Sequence, residues 1–309
     1  MILYTRGETR EKGINPITAQ DDWIIREKMN INEVKNKLSG VIAPLTTPFK
    51  EDQSLDYDAV AFNIGKYNKT GLSGYMPLGS NGEFRSLVEG ESLEMVKLIR
   101  KLTPADKTLI VGAGRESAYS AAEFSKKAAA LGAEFVSILT PFYFKDILTD
   151  DGLYKFFEYI ADRSPVPVLI YNAPRFTGGL CLSPELIRRC AEHDNIVGMK
   201  DTSVNDISDY IKAVEGLDFV VLAGTVKKFM SGLEAGAIGA VLACADYIPD
   251  DCCRVYELFE SGRVDEAREL YAQVAETSAT WSGKASIPGV KKAMDYFGFA
   301  GGLPRIPLL

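Results

Sequence analysis

The chain has one histidine, His193, among its 309 residues. Unless His193 itself takes part, that scarcity excludes histidine-based triads, and no multi-histidine metal centre can form. His193 stands in "AEHDN", a polar loop context. The five cysteines, Cys181, Cys190, Cys244, Cys252 and Cys253, are an odd number with no C-x-x-C spacing. They indicate neither a disulfide framework nor a thiolate zinc site and read as reduced, mostly core residues. Positive charge is also short. The 35 Lys and Arg against 42 Asp and Glu leave a net charge of -7, which disfavours nucleic acid and anionic membrane as partners. No run stays apolar over the roughly 20 residues that a membrane span needs. Residues 1–28 have no apolar signal core and are too acidic for a typical transit peptide, so the expected location is the cytoplasm. Met29 reads equally well as an alternative start, with residues 1–28 an extension.

What is present is alternation. Eight short apolar runs are separated by longer amphipathic stretches: "GVIAPLTTP" (40–48), "GYMPLGS" (74–80), "TLIVGAG" (108–114), "FVSILTP" (135–141), "PVLIYNAP" (167–174), "IVGMKD" (196–201), "FVVLAGT" (219–225) and "GAVLAC" (239–244). Runs apolar nearly throughout are the mark of parallel strands covered on both faces. Eight β/α units in about 200 residues predict an α/β fold of the (β/α)₈ barrel type. A doubly wound open sheet is the other arrangement, but no first strand leads into G-x-G-x-x-G, and "VGAGRES" carries only G-x-G. The expected divisions are a lead-in over 1–38, the barrel over 39–260 and a C-terminal helical appendage over 261–309.

A (β/α)₈ barrel carries its site at the C-terminal strand ends. That rule selects Ser80, Asn81 and Glu83 after the second strand and Tyr143 after the fourth. It also selects Tyr171 and Asn172 on the fifth, Lys200 and Asp201 on the sixth, and Gly224 and Thr225 on the seventh. Lys200 ends an otherwise buried run, and lysine is almost never fully buried unless paired. Strict alternation along that strand turns Lys200, Gly198 and Ile196 inward together, with Tyr171 close enough on the neighbouring strand for its phenol to hydrogen-bond the amine. Such a pair suits imine chemistry. A low-polarity pocket favours the neutral, nucleophilic amine, and a tyrosine moves the proton without any metal or cofactor. Each residue also has an ordinary reading: a snorkelling lysine, an amphipathic core tyrosine, and in "GSNGEF" a turn with a solvated glutamate.

Five motifs in order, "GSNGEF" (79–84), "TPFYF" (140–144), "YNAPRFTG" (171–178), "GMKD" (198–201) and "LAGT" (222–225), resemble those of the dihydrodipicolinate synthase / N-acetylneuraminate lyase family. The likeness runs from about residue 39 to 307. The closing "IPGVKKAMDYFGFAGGLPRIPL" and the "GSNGEF" signature look most like 4-hydroxy-2-oxoglutarate aldolases. The resemblance implies a Schiff-base lyase acting on pyruvate and a small aldehyde or 2-oxo acid, assembled as a homotetramer (a dimer of dimers). It implies that Lys200 forms the imine, that Tyr171 is the general acid/base, and that Ser80 links this phenol to Tyr143 from a neighbouring subunit. It further implies that the Ser80 and Asn81 amides hold the pyruvate carboxylate and that backbone oxygens near Gly224 and Val241 complete the pocket.

The chain departs from the synthase pattern in two places. Phe176 stands where synthases carry the arginine that greets the aldehyde's carboxylate, and Arg175 sits one place earlier. Phe84, Arg85 and Phe142 fill the places of a lysine-feedback pocket. The implied reaction is cleavage of 4-hydroxy-2-oxoglutarate to pyruvate and glyoxylate, with dihydrodipicolinate synthesis or 2-keto-3-deoxy sugar acid cleavage as alternatives. A barrel repurposed as a regulator is the non-enzymatic reading. Loss of the lysine or the tyrosine would favour it, and both are present.

Overall fold

The eight apolar runs form eight parallel strands that close on themselves in chain order, β8 pairing back onto β1. The computed structural model describes residues 29–283 and 285–309. The strands are β1 Gly40–Ala43, β2 Gly74–Tyr75, β3 Thr108–Gly112, β4 Phe135–Leu139, β5 Val168–Asn172, β6 Ile196–Asp201, β7 Val220–Ala223 and β8 Gly239–Val241. All are buried along their whole length, as strands covered on both faces must be. The helices between them are α2 Tyr57–Tyr67, α3 Glu89–Leu102, α4 Ala118–Ala130, α5 Asp150–Ala161, α6 Pro184–Ala191, α7 Ile207–Ala213 and α8 Phe229–Ala235. Side-chain oxygens of Asp56, Ser117, Thr149, Ser183 and Asp206 accept from first-turn amides and set where five of them begin.

The strands are shorter than the runs that announced them, and proline is one reason. β1 stops before Pro44, and the chain leaves β2 through Pro77, which has no N–H for the ladder, into Leu78 with φ of 59°. Inside the barrel, Ile42, Ile110, Phe135, Leu169, Leu222 and Val241 form a packed plug. Below it α1, Ile31–Leu38, inserts Val34 and Leu38 into the same cluster and closes the N-terminal end. Asn30 and Glu33 form a capping box that starts this helix. Residues 1–28, including the expected extension, lie outside the described residues.

One expectation about alternation fails. The β5–β6 register shifts between Val168 and Leu169, so that Val168 pairs with Ile196 but Leu169 pairs with Gly198. Ile196 therefore packs outward against the helices while Val197 joins the interior plug. The irregularity is local, and beyond it Lys200 still faces inward, aligned with Tyr171. Gly198 is required beside it, because a Cβ there would lie 2.7 Å from both the carbonyl and the side chain of Val220.

After β8 come α9 Pro249–Glu260, α10 Val264–Ser282 and α11 Ser286–Tyr296. The last helix and the tail reach across to the strand-end loops. Lys291 donates to the Thr47 and Leu303 carbonyls, and Arg305 binds Glu91 and the Ser86 carbonyl. Among the described residues no helix is long and apolar enough to cross a membrane.

Candidate active site

Lys200 and Tyr171 are opposite each other in the β5–β6 ladder and both turn into the barrel mouth. The residues after them turn out. Asn172 donates to the Asp201 carboxylate at 2.9 Å and to the Tyr210 hydroxyl at 3.1 Å, and Asp201 pairs with Lys228 at 2.6 Å. Asn172 and Asp201, both on the strand-end shortlist, thus brace the outer face.

The Lys200 ammonium nitrogen sits 4.5 Å from the centre of the Tyr171 ring, over its face. The expected phenol–amine hydrogen bond is not formed; the Ser80 and Thr202 hydroxyls are the neighbours that favour the ionised phenol. Lys200 is 6% exposed and has no hydrogen bond or ion pair among the described residues. Burial pushes its pKa down to about 7, with Asp246 pulling the other way. Burial thus favours the neutral, nucleophilic amine near neutral pH. Burial raises the Tyr171 pKa, and the Ser80 and Thr202 hydroxyls oppose that rise.

An open cavity of about 1520 Å³ lies at the C-terminal strand ends, and Lys200, Tyr171, Asn81, Arg175, Gly224 and Val241 all line it. Gly224 lets β7 close against β6, since a Cβ there would stand 2.6 Å from the Asp201 carbonyl. Arg175 is exposed at the mouth, its guanidinium without a hydrogen bond or ion pair among the described residues. Phe176 packs beside Leu139, Tyr171 and Ala173. Ser80 borders a smaller space of about 180 Å³ with Phe84, Leu139 and Phe176. Its hydroxyl is near enough to the phenol to favour phenolate, yet it is buried without a closed hydrogen bond. Tyr143 is not in either cavity. It is 75% exposed on the loop after β4, edge-on to Phe144 at 5.0 Å.

Residues 37–309 match the Dihydrodipicolinate synthetase family. The chain belongs to that family. It is 34% identical to the 4-hydroxy-tetrahydrodipicolinate synthase of Archaeoglobus fulgidus, over 87% of this chain and 92% of that one. It is 33% identical to a protein of Emericella nidulans named "Probable 4-hydroxy-2-oxoglutarate aldolase, mitochondrial", over 87% and 88% of the two chains. Among solved structures it is similar to a prophage protein of the dihydrodipicolinic acid synthase family from E. coli K12, solved in complex with pyruvate. That match has a TM-score of 0.81 and 26% identity, and covers 88% of this chain and 93% of the other. The protein is accordingly a lyase of the dihydrodipicolinate synthetase family.

Within this family member, sequence reasoning missed or misread three residues. Glu83 is not a solvated turn residue: it is buried, and pairs with Lys291 at 2.6 Å while accepting from the Arg305 amide at 2.9 Å. These two bonds pin the "GSNGEF" turn, in which Glu83 takes φ of 51°, to α11 and the tail. Thr202 lines the cavity and donates to the Asn172 carbonyl at 3.0 Å. The signal was available, since Thr202 is two residues beyond Lys200. Asp246, wholly buried after β8, acts on the Lys200 charge. Its only mark in the sequence is a lone acid in the apolar "ACADYIP".

Proposed function

We propose that the protein is a Schiff-base aldolase that cleaves a 4-hydroxy-2-oxo acid to pyruvate and a small aldehyde, with 4-hydroxy-2-oxoglutarate, giving glyoxylate, as the leading substrate. The observation that carries this reading is Lys200: a buried lysine lining the cavity, with no hydrogen bond or ion pair among the described residues, packed on a tyrosine ring. The neutral amine attacks the C2 carbonyl of the oxo acid, the departing oxygen takes up one further proton, and loss of water leaves an iminium. Burial keeps Tyr171 a neutral phenol at rest; it passes its proton out through Ser80 and, as the phenolate so formed, takes the proton of the C4 hydroxyl. The C3–C4 bond then breaks, its electrons enter the iminium to give an enamine, and glyoxylate departs. Protonation at C3 and hydrolysis release pyruvate and return the amine.

The remaining residues divide the substrate between them. The Ser80 and Asn81 amides hold the C1 carboxylate, a use of a tight turn as an anion nest. Backbone oxygens at Gly224 and Val241 border the pyruvate carbons. Arg175, free at the mouth, takes the distal carboxylate in a two-pronged hydrogen bond. Ser80 relays the Tyr171 proton towards Tyr143 of a neighbouring subunit. The orphaned Ser80 hydroxyl and the exposed Tyr143 both support a site completed by a second copy, and a homotetramer is the proposed assembly.

Borohydride reduction in the presence of pyruvate tests the chemistry: one reduced adduct per chain is expected, on Lys200. Labelling that persists unchanged in Lys200→Ala would overturn it. A panel of 4-hydroxy-2-oxo acids coupled to lactate dehydrogenase tests the substrate. If condensation of pyruvate with aspartate semialdehyde has the higher kcat/KM, the protein is a synthase and only the Schiff-base step survives.

A further inference from the structure

Lys200 is not the only ionisable group buried at this end of the barrel. β8 runs into a 3₁₀ turn, Ala243–Asp246, and Asp246 ends it with its side chain 0% exposed. One carboxyl oxygen accepts from the Asn81 amide at 3.1 Å. The other oxygen is buried with no hydrogen-bond partner among the described residues. The turn itself is anchored, because the Tyr67 hydroxyl of α2 donates to the Asp246 carbonyl at 2.6 Å.

A buried carboxyl with an orphaned oxygen is costly unless it is neutral or set against a cation. Two titratable groups feel its charge, Tyr67 from α2, whose hydroxyl bonds the Asp246 backbone carbonyl, and Lys200 from β6. Burial, reinforced by this acid, raises the Tyr67 pKa well above its usual range, so that phenol stays neutral and supplies no charge. Lys200 is the remaining partner. The same cavity wall joins them: Asn81, which holds one oxygen of Asp246, lines the cavity with Lys200, and so do Ala243 and Cys244 of the Asp246 turn.

We propose that Asp246 is the counter-ion of Lys200 across the cavity wall, without direct contact: the two groups hold one proton between them before attack, on one or the other, and Asp246 balances the iminium as a carboxylate afterwards. The second half rests on the Schiff-base reading above. The charge and atom balance favours such a partner. A neutral amine, a neutral carboxylic acid and a ketone carry the same atoms and total charge as an iminium, a carboxylate and one water. The acid's proton leaves in that water, and the C2 oxygen leaves with it. Lys200 and Asp246 together stay neutral through the step, so no net charge is created inside a low-polarity site. Their acidities fit one shared proton: burial moves the acid up to about 7 and the amine down to about 7. Asp246 acts through Lys200 and is a positioning residue for charge.

Asp246→Asn tests this, because it keeps the shape and an oxygen to accept from Asn81 while removing the charge. The pH profile of Lys200 acetylation by acetic anhydride is read by peptide mass spectrometry in both proteins. The midpoint is expected to fall by about one pH unit or more in Asp246→Asn, since burial then acts on the amine unopposed. The pH above which the borohydride-trapped pyruvate adduct fades should fall with it. A purely structural role for Asp246 moves neither midpoint, and unchanged midpoints overturn the proposal. If Asp246→Asn does not fold, infrared difference spectra of the unaltered enzyme decide: adding pyruvate should bleach one protonated-carboxyl band, and no bleach overturns the proposal. Absence of any adduct on Lys200 sinks the Schiff-base reading and the iminium half with it. The acetylation midpoints then still establish or refute the shared proton.

Discussion

Two of the lysines buried at the C-terminal face of the barrel, Lys291 and Lys200, have surroundings that differ in kind. Lys291 on α11 is 1% exposed; it donates to the Thr47 and Leu303 carbonyls at 2.7 Å each and pairs with Glu83 at 2.6 Å. Lys200 on β6 is buried nearly as deeply, yet its nitrogen meets only the face of a tyrosine ring and the charge of Asp246. Burial lowers both pKa values, but at Lys291 the direct ion pair with Glu83 works against it. The first lysine has spent its hydrogen-bonding capacity on holding the tail to the glycine turn. The second has kept its lone pair available towards an open cavity. Burial alone does not mark a reactive lysine; burial without partners, beside a cavity, does.

The comparison breaks most sharply at Lys200 itself. Lys200→Met should lower turnover by on the order of a thousandfold or more while raising stability. An amine moved from 10.5 to about 7 by burial costs roughly 4 kcal/mol at neutral pH, so the gain can approach that figure. Urea denaturation at pH 7 measures it. A variant less stable than the parent would mean that Lys200 is a structural cation after all. Lys291→Met should do the reverse, losing about 3–5 kcal/mol because Glu83 is left buried and unpaired. The double change with Glu83→Gln should recover part of that loss, and equal losses in the single and double variants would show that the ion pair is not the cause.

The pH dependence sharpens the same contrast. Asp246, raised from 3.8 to about 7, binds a proton in the folded chain over a range where the unfolded chain has none, so stability falls as pH climbs through that range. Lys200, lowered from 10.5 to about 7, does the opposite, and stability rises from about pH 7 towards 10. Their joint contribution is lowest near pH 7, with arms of at most about 1.4 kcal/mol per pH unit. Chemical denaturation across pH should show this dip, and Lys200→Met should flatten its alkaline arm. A profile identical in parent and variant would contradict the shifted amine. The smallest effect belongs to Lys107, which is buried without an ion pair among the described residues and donates to the Thr70 and Leu72 carbonyls at 3.1 and 2.6 Å. Lys107→Met should cost about 1–2 kcal/mol for the two deprived carbonyls and leave kcat untouched. A change in kcat would place Lys107 with Lys200 rather than with Lys291.

The strand runs were legible because parallel strands need apolar side chains on both faces, and that is a local property of each run. Lys200 opposite Tyr171 was legible too, since both stand at the ends of such runs on consecutive strands. Ile196 was misplaced because a register shift depends on the partner strand, and nothing in "NIVGMKD" announces which residue will be left over. Glu83 looked solvated because its partners, Lys291 and Arg305, come from more than 200 residues further along the chain.

The sequence by itself determined the alternating architecture, the absence of a multi-histidine centre and the choice of an amine as the candidate nucleophile. These follow from composition, from residue type and from the period of short segments. Tertiary structure alone decided which buried charges are matched. Lys291 finds a carboxylate at contact distance, and Asp246 is held by Asn81 with one oxygen left bare. Lys200 is left with a ring face and a distant charge. The physical reason is that desolvation and pairing are properties of a site's whole enclosure. That enclosure is assembled from β2, β5, β6, β8 and α11, segments that meet only when the barrel closes.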